Sequence, residues 1–310
     1  MLKHVIMICM KKANYIMNNR NMALCYDLHS HSIYSDGVLS PTDLLQRAAS
    51  KGVDVLALTD HDVTAGIAEA KTVAGQVGVT LIAGVEISVT WQKRLIHILG
   101  LGIDPDNEPL LLGLSTLRRQ RVWRAMEMGK RFEKIGINGV YEGARKFAGG
   151  DVISRTHFAM YLAAQGLVRD IQDAFKRYLK RGKRCYVPCQ WASLEDAVHW
   201  ITGAGGQAVI AHPARYEMGH TLLKKFVGEF RDSGGAGIEV ITSSHTPRQS
   251  QTMASLANEF DLLASAGSDF HAPGNSWVEL GKLPSLPQNC EPIWDSWPIT
   301  IDARTPPLMH

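Results

Sequence analysis

Long apolar runs, a one-sided charge, paired-cysteine spacings and phosphate-loop or serine-elbow signatures are all missing from this sequence of 310 residues. Without about twenty consecutive apolar residues there is no transmembrane helix to place. The apolar stretch in MLKHVIMICM is shorter than that and runs into Lys11 and Lys12 rather than a cleavage site, so neither a secretion signal nor an anchor is expected. No GxxxxGK[ST] and no GxSxG occur, which disfavours a triphosphate cradle and an acyl-transfer serine. Cysteine is scarce, with five residues in an odd count, and Cys185 and Cys189 in CYVPC lack the second pair of a structural zinc site. Reduced thiols and a cytoplasmic location are the expectation. Thirty-three Lys and Arg against 30 Asp and Glu leave a net charge of +3, so any attraction to nucleic acid has to come from a local patch.

What is present is the make-up of an ordinary globular chain, 45% hydrophobic and 20% charged, enough for one barrel-sized core with an insertion. Residues 1–22 precede the periodic pattern and are expected to be a disordered extension, with Met22 as an alternative start. From Ala23 an apolar run, a polar turn and a helical pattern repeat, the order of β/α units around parallel strands, and an α/β barrel is predicted over 23–285. Strands are expected at ALCYD, VDVLALT, VTLIAGVE, LIHILGL, QAVIA, GIEVI and LLASAGS, nearly all ending in His, Asp or Glu. Amphipathic connectors are expected over Thr42–Ser50 behind the Ser40-Pro41 start signal, over Ile67–Ala74 and over Leu194–Ile201. The stretch from about 104 to 190 is rich in Arg, Lys and helix formers without a buried strand, and reads as an inserted helical subdomain. Residues 286–310 carry prolines at spacings that resist regular structure and are expected to form an irregular tail.

The chemistry gathers at strand ends. His29 and His31 alternate on an extended segment and project to one side, where one cation could take both; Asp36 follows on the Ser35-Asp36-Gly37 turn as a hard oxygen ligand. One HxH decides nothing, and any single histidine here fits a satisfied buried imidazole. The set reads differently, because TDHD with His61, GVE with Glu86, IHILG with His97, AHP with His212 and SDFH with Asp269 and His271 fall in one register. In a parallel barrel those ends converge on one face, and burying so many imidazoles and carboxylates together calls for cations to satisfy them.

The series HSHSIYSDG, ALTDHD, GVEIS, HILGLG, AHP and GSDFH resembles the ordered motifs of the polymerase and histidinol phosphatase (PHP) family, from about Cys25 to Gly281. In detail it is similar to the bacterial branch holding RNase AM and the nucleoside 3′,5′-bisphosphate phosphatases. That resemblance implies a distorted (β/α)7 barrel with an inserted helical subdomain and three divalent metal ions, Mn²⁺ foremost, with Fe²⁺, Zn²⁺ or Mg²⁺ as alternatives. It implies that His29, His31, Glu86 and Asp269 hold one metal, that Glu86 bridges to a second taken also by His97 and His212, and that Asp36, His61 and His271 hold the third. Many PHP relatives carry His at the position of Asp36, which makes this third site richer in oxygen. The implied nucleophile is a metal-activated water, with Ser30, Ser32 and Ser268 as turn-formers or supporting donors.

For substrate, Arg118, Arg121 and Arg124 step by three along one helix face, as a phosphate clamp or as a solvated basic face. Resemblance to the nucleotidase branch favours the clamp and adds Arg155, His157 and His245 as phosphate contacts; Ser154 also reads as a helix cap. KRYLKRGKR over 176–184 reads as a guide for a polyanion or as a solubilising run. The expected function is hydrolysis of nucleoside 3′,5′-bisphosphates, 5′–3′ exoribonuclease action on short 5′-monophosphorylated RNA, or both, with no membrane and no obligate protein partner. A phosphatase for another small ester such as histidinol phosphate, or a non-catalytic PHP binding module, are the alternatives.

Overall fold

The computed structural model describes residues 24–274 and 278–297; the expected extension over 1–22 and the final stretch of the expected tail lie outside the described residues. Seven strands form one sheet in sequence order: β1 Tyr26–Asp27, β2 Val55–Leu58, β3 Thr80–Trp91, β4 Arg94–Leu101, β5 Gln207–Ile210, β6 Gly237–Thr242 and β7 Leu263–Gly267. The chain beyond β1 pairs with the end of β7 and the chain that follows it, through Leu28 N to Ala266 O at 2.9 Å, His31 N to Phe270 O at 2.9 Å and a Ser30–Phe270 bridge. The sheet therefore curls into a nearly closed α/β barrel, and the two edges that would otherwise be left bare meet.

One strand departs from the uniformly parallel order read in the sequence. β3 and β4 pair antiparallel, as do β4 and β5, while every other neighbouring pair is parallel. Gln92 and Lys93 close the β3–β4 hairpin, both with positive φ (44° and 62°). That is the two-residue geometry whose twist matches the flanking strands. β4 thus runs against the rest, and its beginning, not its end, lies beside the carboxyl ends of the others.

The outer helices follow local signals. α1 (Pro41–Ser50) starts where Ser40 accepts from Asp43 N and Pro41 occupies the first turn. α2 (Gly66–Val77) ends on Gly78 in the left-handed conformation. Between β4 and β5 come α3 (Glu108–Glu133), α4 (Val140–Arg145), α5 (Arg155–Ala164), α6 (Ile171–Ala174), a π turn at Phe175–Leu179, and α7 (Leu194–Gly203). α8 (His220–Asp232) and α9 (Pro247–Glu259) complete the ring. No helix among the described residues is long and apolar enough to cross a membrane.

α3 is about 39 Å long at 1.5 Å per residue and serves two cores. Its first half sends Leu110, Leu114 and Leu117 into the main barrel core, and its second half sends Ala125, Met128 and Phe132 into a separate cluster with Phe158, Leu162, Leu179 and Cys185. Full burial of each aromatic there contributes about 1.5–3 kcal/mol, which ties α4 to α6 and the π turn to the long helix. A third buried cluster joins Leu28, Val55, Leu99, Leu101 and Val209 to Ile293, on a 3₁₀ turn at Ile293–Ser296, and reaches the amino ends of β2 and β5. Trp294 stacks on Tyr26 at 4.3 Å and Trp297 Nε1 donates to Gln207 Oε1. With apolar residues at that end, the polar chemistry is left to the opposite rim.

Candidate metal centre

His29 and His31 flank Ser30, whose hydroxyl donates to Ala57 O at 2.6 Å. Strand alternation turns both imidazoles the other way, and their Nε2 atoms face each other at 3.1 Å. Asp269 Oδ1 lies 3.4 Å from His29 Nε2 and 3.3 Å from His31 Nε2. Asp269 and His212 both take positive φ (57° and 30°), a strained choice for non-glycine residues that concentrates at functional sites.

Glu86, fully buried, is the centre of the arrangement. It sits midway along β3 rather than at its end, and its carboxylate reaches His61 Nδ1 (2.8 Å), His97 Nδ1 (2.9 Å), His212 Nε2 (3.0 Å), His31 Nε2 (3.3 Å) and His29 Nε2 (3.5 Å). His97 reaches it because β4 is reversed: His97 pairs with Ser88 across the hairpin. On the other flank Asp36 Oδ1 is 3.2 Å from His271 Nε2 and 3.7 Å from His61 Nε2. Eight of the nine candidate ligands fall in three overlapping groups, His29, His31 and Asp269; His61, Glu86 and His97; and His31, Asp36, His61 and His271, and the ninth, His212, adjoins them through Glu86.

This donor set fits divalent cations. Atoms bound about 2.1 Å from a shared ion at tetrahedral or octahedral angles stand roughly 3.0–3.4 Å apart, the spacing found here. Asp36 Oδ1, His61 Nδ1, Glu86 Oε2 and His212 Nδ1 are buried without a hydrogen-bond partner. The 2.8 Å approach of His61 to Glu86 is misaligned for a hydrogen bond, as expected where both atoms aim at a third. Burial pushes the Glu86 carboxyl up, but the charges of His61, His97 and His29 and the His212 contact outweigh it and hold the group well below its ordinary range. Burial, then the charge of His271, pushes His31 down to about 3, and burial takes His212 down to about 4. Both present neutral imidazoles, the form that ligates.

A surrounding layer aims these ligands. Glu239 accepts from His29 Nδ1 at 2.9 Å and from His212 N. Asp60 accepts from Ser32 N, Ser32 Oγ and Ser35 Oγ and pins the loop carrying His31 and Asp36. His271 Nδ1 is 2.9 Å from Asp269 O, which leaves Nε2 for Asp36. Such outer partners fix tautomer and ring direction. Gly267 belongs to this scaffold, since a Cβ there would lie 2.3 Å from His29 Cβ and 2.8 Å from Glu239 Oε1. Gly267→Ala is therefore expected to swing His29 off its partners and cut bound metal and turnover by about 10–100-fold, the range for disturbed outer-layer contacts; metal content per chain and kcat on the same preparation check it.

Beside the ligands opens a cavity of about 650 Å³, also lined by Arg121, Arg124, Arg155, Arg215, Phe175 and Trp191. Arg121 pairs with Asp62 at 2.6 Å, and Arg215 with Asp269. Arg124 and Arg155 have no ion pair among the described residues. Arg124 stands over Trp191 and Tyr186, and Arg155 over Phe175. Burial first, then Arg155 and Arg121, pushes the Arg124 guanidinium down to about 9.

The other residues read as phosphate contacts are elsewhere. Arg118 does not line this cavity: its guanidinium donates to Asp62 O and borders a separate groove. His157 Nδ1 accepts from Ser154 N in the capping box of α5, and His245 Nδ1 faces Val240 O at 3.2 Å. Sequence reasoning missed Glu239, Arg215 and Trp191; the acid in GIEVI was a signal for the first, and nothing local marks the other two.

The PHP domain model matches residues 27–190. The chain is 49% identical to the 3′,5′-nucleoside bisphosphate phosphatase of Chromobacterium violaceum over 86% of this chain and 94% of that one. It is 46% identical to the 5′-3′ exoribonuclease of Haemophilus influenzae over 88% and 98%. A solved amidohydrolase structure from C. violaceum, with bound sulfate and no metal, superimposes with a TM-score of 0.85 at 48% identity over 87% of this chain and 95% of that one.

Proposed function

The chain belongs to the PHP domain family and is a hydrolase of phosphate esters, and we propose that its substrates carry two phosphates on one terminal nucleotide: nucleoside 3′,5′-bisphosphates and short RNA with a 5′-monophosphate. The observation that carries this reading is one cavity lined by seven of the nine metal-type ligands and by Arg124 and Arg155, cations without an ion pair among the described residues. One end suits the phosphate to be cleaved, the other a phosphate that is only held. Relatives named for a bisphosphate phosphatase and for an exoribonuclease fit the same two-phosphate logic.

In this reading three divalent ions, Mn²⁺ foremost, are held by His29, His31, Glu86 and Asp269, by Glu86, His97 and His212, and by Asp36, His61 and His271. Bound there, such ions supply an activated water and neutralise charge on the phosphoryl oxygens. The protein's own share is placement. Arg124 and Arg155 take the 5′-phosphate as planar donors, Trp191 and Phe175 back them, and Arg121 is held rigid between Asp62 and Ser88. Ser30 and Ser32 spend their hydroxyls on Ala57 O and Asp60, so they brace the site and do not attack. A cytoplasmic enzyme is consistent with the four described cysteines being free thiols.

The test is turnover of adenosine 3′,5′-bisphosphate and of 5′-monophosphorylated RNA with Mn²⁺, alongside a panel of other phosphomonoesters. Release of phosphate from the first and of mononucleotides from the second is expected. No release from either, or a clear preference for a non-nucleotide ester, would sink the reading.

A further inference from the structure

A second trough opens beyond Arg215. Arg169, Lys176, Lys180 and Arg215 line this open groove against the acids Asp170 and Asp173. It shares Phe175 and Arg215 with the catalytic cavity, so the two adjoin at these side chains. Four cations less two acids leave +2 along its walls, and the acids are already engaged. Asp170 Oδ1 accepts from Asp173 N at the start of α6, while Asp173 receives Arg169 N and stands 3.8 and 3.6 Å from the Arg169 and Arg177 guanidiniums. Lys176 and Lys180 are exposed and have no ion pair among the described residues. Lys176 lies within the π turn, a rare backbone form frequent at functional sites, and Lys180 caps its end.

The direction of a bound strand follows from the cavity. With the 5′-phosphate on Arg124 and Arg155 and the next phosphate at the metal ligands, the rest of the strand has to leave from the ligand end. Arg215 stands there, paired with Asp269 and forming the seam with the second trough. We propose that this trough is the track for the RNA chain downstream of the scissile phosphate, with Arg215 at its entrance and Lys176 and Lys180 on successive backbone phosphates. The inference rests on the two-phosphate substrate reading and adds to it a site that a mononucleotide never touches. The bland alternative is a pair of lysines that only keep the surface hydrated.

The double variant Lys176→Ala/Lys180→Ala separates them. It is expected to hydrolyse adenosine 3′,5′-bisphosphate within about twofold of the parent and to act on a 5′-monophosphorylated dinucleotide nearly as well. KM for a decanucleotide should rise about tenfold, and the salt dependence of its binding should flatten by about 0.7 in the log–log slope per lysine removed. Fluorescence anisotropy with the same decanucleotide, without divalent metal, reads the trough independently of catalysis. If the parent turns over neither substrate, the substrate reading falls, and anisotropy still decides the trough. A decanucleotide affinity and KM unchanged by the double variant, or a loss equal for dinucleotide and decanucleotide, overturns the proposal.

Discussion

Glu86→Gln is expected to lower kcat/KM for adenosine 3′,5′-bisphosphate by at least about a thousandfold and to strip most of the divalent metal from the purified protein. The amide keeps the shape of the side chain and removes its charge. Around that one carboxylate stand five imidazoles within 3.5 Å, and among the described residues no other acid pairs with the His97 or His212 ring: Glu239 meets His212 only at its backbone N, and Asp36 and Asp269 lie against His61, His271, His29 and His31. A Gln nitrogen would also turn hydrogens toward imidazole nitrogens whose lone pairs are needed for ligation. Loss of several kcal/mol of charge stabilisation from a metal, at a factor of ten per 1.36 kcal/mol, gives the thousandfold. Metal per chain by elemental analysis and steady-state turnover check it together; full occupancy with near-parental turnover would mean that Glu86 is not the hub of the centre.

Much of this geometry was legible in the sequence, for a definite reason. Strands of a parallel barrel are buried on both faces and read as apolar runs, so VLAL, QAVI and LASAG announce themselves, and the residue that ends each run is fixed to the rim by topology alone. The reading fails where direction or distance in sequence matters. IHILG looks like any other strand bearing a histidine, and only the Gln92–Lys93 turn reverses it and carries His97 to Glu86 from the other end. α8 and α9 went unread between clear strands, although Thr246 opens α9 with a full capping box. Steps of three along α3 place Arg121 and Arg124 in the cavity, yet the same helix turns Arg118 to the far side of Asp62: a basic helix face is wider than a ligand, and spacing cannot say where its edge falls. Arg215 lies on a short turn whose sequence, PARY, has no periodicity, and its meaning comes wholly from Asp269, 54 residues away.

Arg124 and Arg155 carry the other large expectation, because they separate holding a phosphate from cleaving one. Neither pairs with an acid among the described residues, and both guanidiniums are pulled below their ordinary value, first by burial and then, for Arg124, by its arginine neighbours. A bound anion would supply the partner that these two guanidiniums lack. A charge-assisted hydrogen bond is worth about 1.5–3 kcal/mol, so Arg124→Met/Arg155→Met should forfeit about 4 kcal/mol of binding to a 5′-phosphate, about a thousandfold in kcat/KM for adenosine 3′,5′-bisphosphate. For adenosine 3′-monophosphate, which offers no second phosphate, the loss should be about tenfold or less, so discrimination between the two substrates collapses. Thermal unfolding is expected to shift little: the Arg124 bond to Val187 O is lost, but the mutual repulsion of three clustered guanidiniums is relieved. Equal losses on both substrates would place the two arginines in the scaffold of the cavity and the 5′-phosphate somewhere else.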